Sequence, residues 1–249
     1  MSNQALYKEV PTWVDGSWTT TIFSTKEEYV EFVLSVFKEP GEYQFNETSD
    51  IFNEQATNFN NNGYYCDAPF KSADFVYYWD TEKDKCRNGV IYRSGDLVWY
   101  LCREYYMWLN FLPIYDKEEK KFGFAKVRDA QYHMALYEHL AELHYRHAII
   151  LKKRQIASSY YHMGKFINTY WFESGAVLKL GASLKDYINE KGSWKFLDEY
   201  KNFLNEHTAW YRPNEPDKVG AWQQRIKVRQ NGRDTYKGLK STITSYSFE

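Results

Sequence analysis

Cysteine is scarce: Cys66, Cys86 and Cys102 are the only three in 249 residues, unequally spaced and without a C-x-x-C pair. That pattern excludes a zinc site built on paired cysteines and a disulfide framework, and it suits a reducing compartment. An excess of one charge is missing too. Against 32 Lys and Arg stand 33 Asp and Glu, a formal charge of -1, so nucleic acid would have to be met by a local basic patch rather than by the whole surface. The first residues carry no apolar signal core, and no apolar run approaches the roughly 20 residues of a membrane span, so neither secretion by that route nor insertion into a membrane is expected. G-x-S-x-G, H-E-x-x-H and a usefully spaced Cys/His pair are all absent, which removes the hydrolase and metalloprotease readings those motifs carry.

What is present is aromatic. Tyr 23, Phe 16 and Trp 9, within an apolar fraction of 43%, support a real core in which many rings sit half buried so that a hydroxyl or indole N–H finds a partner. Residues 1–23, with Pro11 and Gly16, show no helical period and read as an irregular arm. Ser24 and Glu27 have capping-box spacing, and Tyr29, Phe32, Val33, Val36 and Phe37 then recur as a helix over about 25–38, until Pro40. Residues 41–93 are rich in Asn, Asp, Gly and Tyr and read as loops and short strands, with Cys66, Cys86, Asp67, Asp80 and Asp84 as loop polar groups and small thiols. From Ser94 a helix is expected, with Leu97, Leu101, Tyr105 and Trp108 on one face and Asn110 closing it.

Asp129–Arg146 has a strong helical pattern, and the stretch around it holds His133, His139, His144 and His147. His139 and Glu142 form an i, i+3 pair, but the helix offers no second carboxylate–His set, so ordinary surface or half-buried histidines are expected. Ala176–Ala182 reads as a strand. A helix broken by Gly192 follows, then a loop at Pro213 and Pro216, then an alternating basic strand Arg225, Lys227, Arg229 with a turn at Asn231–Gly232, and a last strand over 239–248. The basic strand has two readings, a contact to a phosphate backbone or an edge strand protected by charge. Asp198–Glu199, the one Asp-Glu pair, recurs with Trp194, Leu197, Lys201 and Leu204 at helical spacing and reads as an exposed helix face.

One junction carries candidate chemistry. Ala148–Leu151 is apolar, Lys152, Lys153 and Arg154 follow, and a helix is expected from Ser159. Strand, loop, helix and the strand 176–182 would make a βαβ unit, the context of a phosphate loop. Against G-x-x-x-x-G-K-[ST], only Ser159 matches outright; Ala157 stands at the second Gly and Ser158 at the Lys. Ser159 can offer a hydroxyl to Mg2+, Ala157 permits the turn if its φ is negative, and Lys152 or Lys153 can reach across the loop. The other reading is a strand-to-helix junction with solvated charges.

The order of elements adds a resemblance. Tyr105-Tyr106-Met-Trp-Leu109-Asn110, then Ile149-Ile-Leu-Lys152-Lys153-Arg154-Gln155-Ile-Ala157-Ser158-Ser159, then Ala176–Ser183 resembles the N-terminal ATPase region of the large terminase subunit of tailed bacteriophages, over about residues 65–249. That family's loop is commonly Arg-Gln-x-Gly-Lys-Ser/Thr; Arg154, Gln155 and Ser159 match it, and some members carry the lysine at the loop's start, where Lys152 stands. The resemblance implies an α/β fold, an incomplete P-loop NTPase sheet of ASCE type with flanking helices over 94–249. An irregular aromatic-rich α+β extension with one helix precedes it over 1–93. It also implies ATP and Mg2+ as cofactors, with Tyr106 and Asn110 contributing to the adenine pocket. Viral double-stranded DNA, the portal and the small terminase subunit are the implied partners, with a homo-oligomer in the assembled motor, in the host cytoplasm. The family's acidic strand, coupling region and nuclease domain would follow Glu249, so the chain alone is expected to hydrolyse little ATP.

Overall fold

The computed structural model describes residues 6–45, 49–116, 120–152, 156–189, 192–212, 220–230 and 233–248; the expected loop at Pro213 and Pro216 and the turn at Asn231–Gly232 lie outside them. The protein is mixed α/β, its sheets combine parallel with antiparallel pairing, and among the described residues none closes into a barrel. Two compact units are formed, Met1–Phe111 with Tyr115–Ser158, and Leu112–Ile114 with Ser159–Glu249.

In the first unit β1 (Lys8–Val14) and β2 (Ser17–Phe23) make an antiparallel hairpin around Asp15 and Gly16, whose φ values of 44° and 98° are those a two-residue hairpin turn demands. This replaces the irregular arm expected over 1–23. β2 is polar and mostly exposed, so it gave no apolar alternation, and Asp-Gly was the signal that could have found it. β1 pairs in parallel with β3 (Val90–Ser94), which turns at Gly95 and Asp96 into antiparallel β4 (Leu97–Leu101), giving the order β2-β1-β3-β4. The helix expected from Ser94 is therefore a hairpin followed by a later helix. Leu97 and Leu101, four apart, share a face in a strand as well as in a helix, so their spacing could not decide. The boundary expected at 93/94 falls within β3, which is hydrogen-bonded to β4.

The helices of this unit are α1 (Lys26–Val36), α2 (Glu54–Asn62), α3 (Ala73–Asn88), α4 (Arg103–Phe111) and α5 (Asp129–Leu143). The capping box of α1 is formed by Thr25 and Glu28, one residue later than Ser24 and Glu27. α2 and α3 occupy the stretch read as loops. α3 buries Trp79, Glu82, Lys85 and Cys86 on one face, and the two charges there cancel the apolar periodicity by which a helix is recognised. Its ends carry ordinary signals: Ser72 accepts from Phe75 N–H, and Gly89, at φ 79°, closes it. A Cβ on Gly89 would lie 2.6 Å from both the Leu101 carbonyl and the Tyr100 hydroxyl.

α4 is buried along its length from Glu104, with Tyr105, Trp108 and Leu109 wholly inaccessible; each such side chain contributes about 1.5–3 kcal/mol of burial. Its last carbonyls are met by side chains: Asn53 Nδ2 donates to Leu109 O at 3.1 Å and the Tyr65 hydroxyl to Asn110 O at 3.0 Å.

In the second unit α6 (Ser158–Phe172) leads to β7 (Val177–Ala182), a 3-10 turn at Lys185–Tyr187 and α7 (Ser193–His207). β8 (Ala221–Gln223), β9 (Ile226–Gln230), β10 (Arg233–Lys237) and β11 (Thr242–Ser247) follow. β11 is central in the order β7-β11-β8, parallel to β7 and antiparallel to β8. Trp171, Trp194, Trp222 and Ile243 form its core, with Trp171 Nε1 donating to Trp210 O and Trp194 Nε1 to Ser245 Oγ, each at 2.8 Å. Asp198 and Glu199 lie on α7, beside Lys201 at 3.3 Å and Lys195 at 3.7 Å, as the helical spacing predicts.

Candidate functional site

The expected phosphate loop is built differently from its sequence reading. Residues 148–152 form neither helix nor strand, and Ile149 and Leu151 are 81% and 95% exposed, so the strand expected at 148–152 and the βαβ unit it would open are not formed. An apolar run of this length gains a strand's stability only from a neighbouring ladder, and β7 takes its parallel partner from β11 instead. Lys152 is exposed; Lys153, Arg154 and Gln155 lie outside the described residues. The Ile156 carbonyl accepts from Gln131 Nε2 at 3.0 Å, which ties the loop to α5. Ala157 has φ 53°, not the negative value expected. That is the left-handed region glycine favours, at the position where the motif carries glycine.

α6 starts at Ser158, one residue before the expected start. Ser158 is 4% exposed and Ser159 is exposed, and the first turn holds no acidic residue. A helix start without an acidic residue in its first turn favours an anion.

Tyr106 and Asn110 lie on α4 and are committed to the interior. The Tyr106 hydroxyl donates to Glu82 Oε2 at 2.6 Å, and Glu82 Oε1 accepts from Lys85 Nζ at 2.6 Å, both partners buried. Asn110 is wholly inaccessible. Its Oδ1 accepts from Gln55 N–H and Ala56 N–H at 3.1 and 3.4 Å, and its Nδ2 donates to the Phe52 and Tyr106 carbonyls at 2.8 and 3.1 Å. Every hydrogen-bonding capacity of that amide is used within the fold.

Arg225, Lys227 and Arg229 belong to a two-stranded antiparallel ribbon, β9 against β10. β10 is exposed throughout. From 225 to 240 the sequence holds Arg225, Lys227, Arg229, Arg233, Lys237 and Lys240 against one acid, Asp234. Lys227 Nζ lies 2.8 Å from Asp234 Oδ2, both half exposed, and the Arg225 guanidinium stacks 4.3 Å from the Tyr236 ring centroid. At the foot of the ribbon a pocket of about 320 Å³ is lined by Gln223, Gln224, Arg225, Tyr236, Lys240 and Thr242.

A second cluster was not legible as a site. One imidazole nitrogen of His139 and one carboxylate oxygen each of Glu104 and Glu142 lie within 4.8 Å of one another. Glu104 and His139 are buried, Glu142 exposed. The i, i+3 pair on α5 was visible in the sequence; Glu104, which completes the set, comes from α4, and no local spacing could announce it. Around it runs a polar network. The Tyr29 hydroxyl lies 2.8 Å from His139 Nε2 and 2.6 Å from the Tyr100 hydroxyl and accepts from Lys8 Nζ at 2.9 Å; the Tyr100 hydroxyl donates to Asn88 O at 3.0 Å. Burial and the neighbouring Arg103 guanidinium pull the Lys8 ammonium down to about 8, with Glu104 opposing. Burial pushes the Tyr29 and Tyr100 hydroxyls well up. His133 is elsewhere, stacked 4.7 Å from Phe37 and bonded to Lys38 O.

No known family model matches the chain, and no curated protein sequence is significantly similar to it.

Proposed function

We propose that this chain is the front part of a bacteriophage large terminase subunit, an ATP-binding component of the motor that packages viral DNA into procapsids. The observation that carries the reading is local. Ala157, at the position of the loop's glycine, has φ 53°, and a 15-residue helix with no acid in its first turn begins at the next residue. Gln131 holds the Ile156 carbonyl and so fixes the turn from outside. In this reading the first N–H groups of α6 receive the phosphates, the exposed Ser159 hydroxyl serves Mg2+, and Lys152, with Lys153 and Arg154 next in the sequence, neutralises the phosphate charge. Bound ATP would supply the free energy for moving DNA in the complete motor. Hydrolysis by the chain alone stays low in this reading, because Asp198 and Glu199 sit on a helix face beside lysines and offer no acid at a strand end. The basic ribbon carrying Arg225, Lys227 and Arg229 is the surface this reading assigns to duplex DNA; the contact should weaken steeply with salt.

The test is a thermal-shift titration with Mg-ATP. Ligand at about 100 times Kd adds about 2.7 kcal/mol, and Lys152→Ala should need more ATP for the same shift. Absence of any shift in the parent at millimolar ATP would sink the nucleotide reading. A second reading, a non-catalytic interaction protein docking on other phage components through its aromatic N-terminal half, is favoured by one observation: Phe70, Val76 and Tyr77 are 74%, 50% and 75% exposed within a short stretch. It predicts no ATP shift in either protein.

A further inference from the structure

The cluster on α4 and α5 shares no residue with the loop or the ribbon, and its chemistry points elsewhere. We propose that Glu104, His139 and Glu142 bind a divalent transition-metal ion of the zinc class, with Tyr29 as the group that orients the histidine. Three ligand atoms within 4.8 Å of one another need close by at most about 1.5 Å to reach the roughly 3.3 Å separation that bonds of about 2.0 Å impose in a tetrahedral zinc site. Glu142, the exposed member of the set, is the ligand freest to adjust. His139 and Glu142 are one helical turn apart on α5, and Glu104 stands in the first turn of α4, so the ligand set is carried on helices rather than loops.

The proton arrangement supports the assignment. The Tyr100 hydroxyl has one proton and directs it to the Asn88 carbonyl. The proton between Tyr29 and Tyr100 therefore belongs to Tyr29, whose oxygen is left to accept from Lys8 and from His139 Nε2–H. With hydrogen on Nε2, Nδ1 is the ring nitrogen that would meet the ion. A ligand histidine anchored through its other N–H is the arrangement that fixes tautomer and ring direction at metal centres. An imidazole with two carboxylates favours Zn2+ over Mg2+ or Ca2+, which prefer oxygen alone. Three protein ligands leave one tetrahedral position for water.

Among the described residues, two cations compete with the ion. Arg103 Nε lies 3.4 Å from Glu104 Oε2, and the Lys8 ammonium, faced by Tyr29, Arg103, Glu104 and Cys102, sits over the Tyr29 ring at 4.3 Å.

The experiment is calorimetric titration of the chelator-treated full chain, without nucleotide, with ZnCl2 and separately with MgCl2. One zinc ion per chain is expected, with no comparable binding of Mg2+. Glu142→Gln, a change at an exposed position, should weaken zinc about 10-fold or more. His147→Ala should bind as the parent does, and Co2+ should give the visible absorption of a tetrahedral site. Unchanged zinc affinity in Glu142→Gln, equal response to Mg2+, or no uptake by the parent would each overturn the proposal. Failure of the ATP reading leaves all of these outcomes unaffected, because no nucleotide is present.

Discussion

Around Asn110 both amide atoms are fully bonded and no side-chain atom reaches solvent, whereas around Ala157 the backbone is held in the left-handed region and Lys152 and Ser159 face outward. In the sequence the two stretches look alike, short polar motifs next to apolar runs. Their physics is opposite. A buried amide that satisfies four partners is part of the scaffold, because removing it leaves those partners desolvated and unmet. A strained residue at a helix start stores a small cost that the scaffold does not need, and such positions are where binding is found.

The sharpest way to break the comparison is Asn110→Ala. It removes the acceptor for Gln55 N–H and Ala56 N–H and the donor to the Phe52 and Tyr106 carbonyls. A loss of about 3–5 kcal/mol is expected, read as a lower urea midpoint with unchanged slope. A cost below 1 kcal/mol would mean that Asn110 is not a scaffold residue.

Lys8 gives a middle case, a cation buried against a network instead of against water. Between its lowered value of about 8 and the ordinary lysine value of 10.5, the unfolded chain holds more protons than the folded one, so stability attributable to Lys8 rises with pH across that window. Tyr29 and Tyr100, held above the ordinary 10.0, act in the opposite direction once unfolded tyrosines ionise. The parent measured against Lys8→Met isolates the lysine: from pH 7 to pH 10 the parent should gain about 1–2 kcal/mol relative to the variant. A flat difference would remove Lys8 from the desolvated network.

The smallest effect is expected at Ala157. Replacement by glycine relieves a left-handed backbone that costs an L-residue about 1–2 kcal/mol and loses part of this gain to the freer unfolded chain. A net stabilisation of about 0.5–1 kcal/mol should appear as a raised Tm, with tighter Mg-ATP binding if the loop is a phosphate loop. Destabilisation would mean that the left-handed turn is not the solution conformation.

What could be read from the sequence follows from the range of the signal. α1, α5, α6, β7 and β11 were legible, because their periodicity or their Gly and cap residues lie within one segment. The β1–β2 hairpin was not, since Thr19, Thr20 and Thr21 carry no apolar alternation, and α3 was obscured by Glu82 and Lys85, charges whose burial is possible only because Tyr106 and each other await them. Ala148–Leu151 failed in the opposite sense: an apolar run was read as a strand, but the ladder that would make it one is taken elsewhere. Of the candidate sites, the loop was found through short-range pattern, and Glu104 was missed because only tertiary structure brings it to His139.

Gly89 gives these interior arrangements a common origin. With no methyl group there, α3 can end directly against β4, the Asn88 carbonyl can meet the Tyr100 hydroxyl, and the hydrogens on Tyr100, Tyr29 and His139 then all point one way. The vacancy of a single carbon atom thus acts as a compass for a chain of protons, and a mutation to alanine would misdirect the imidazole from two helices away without touching it.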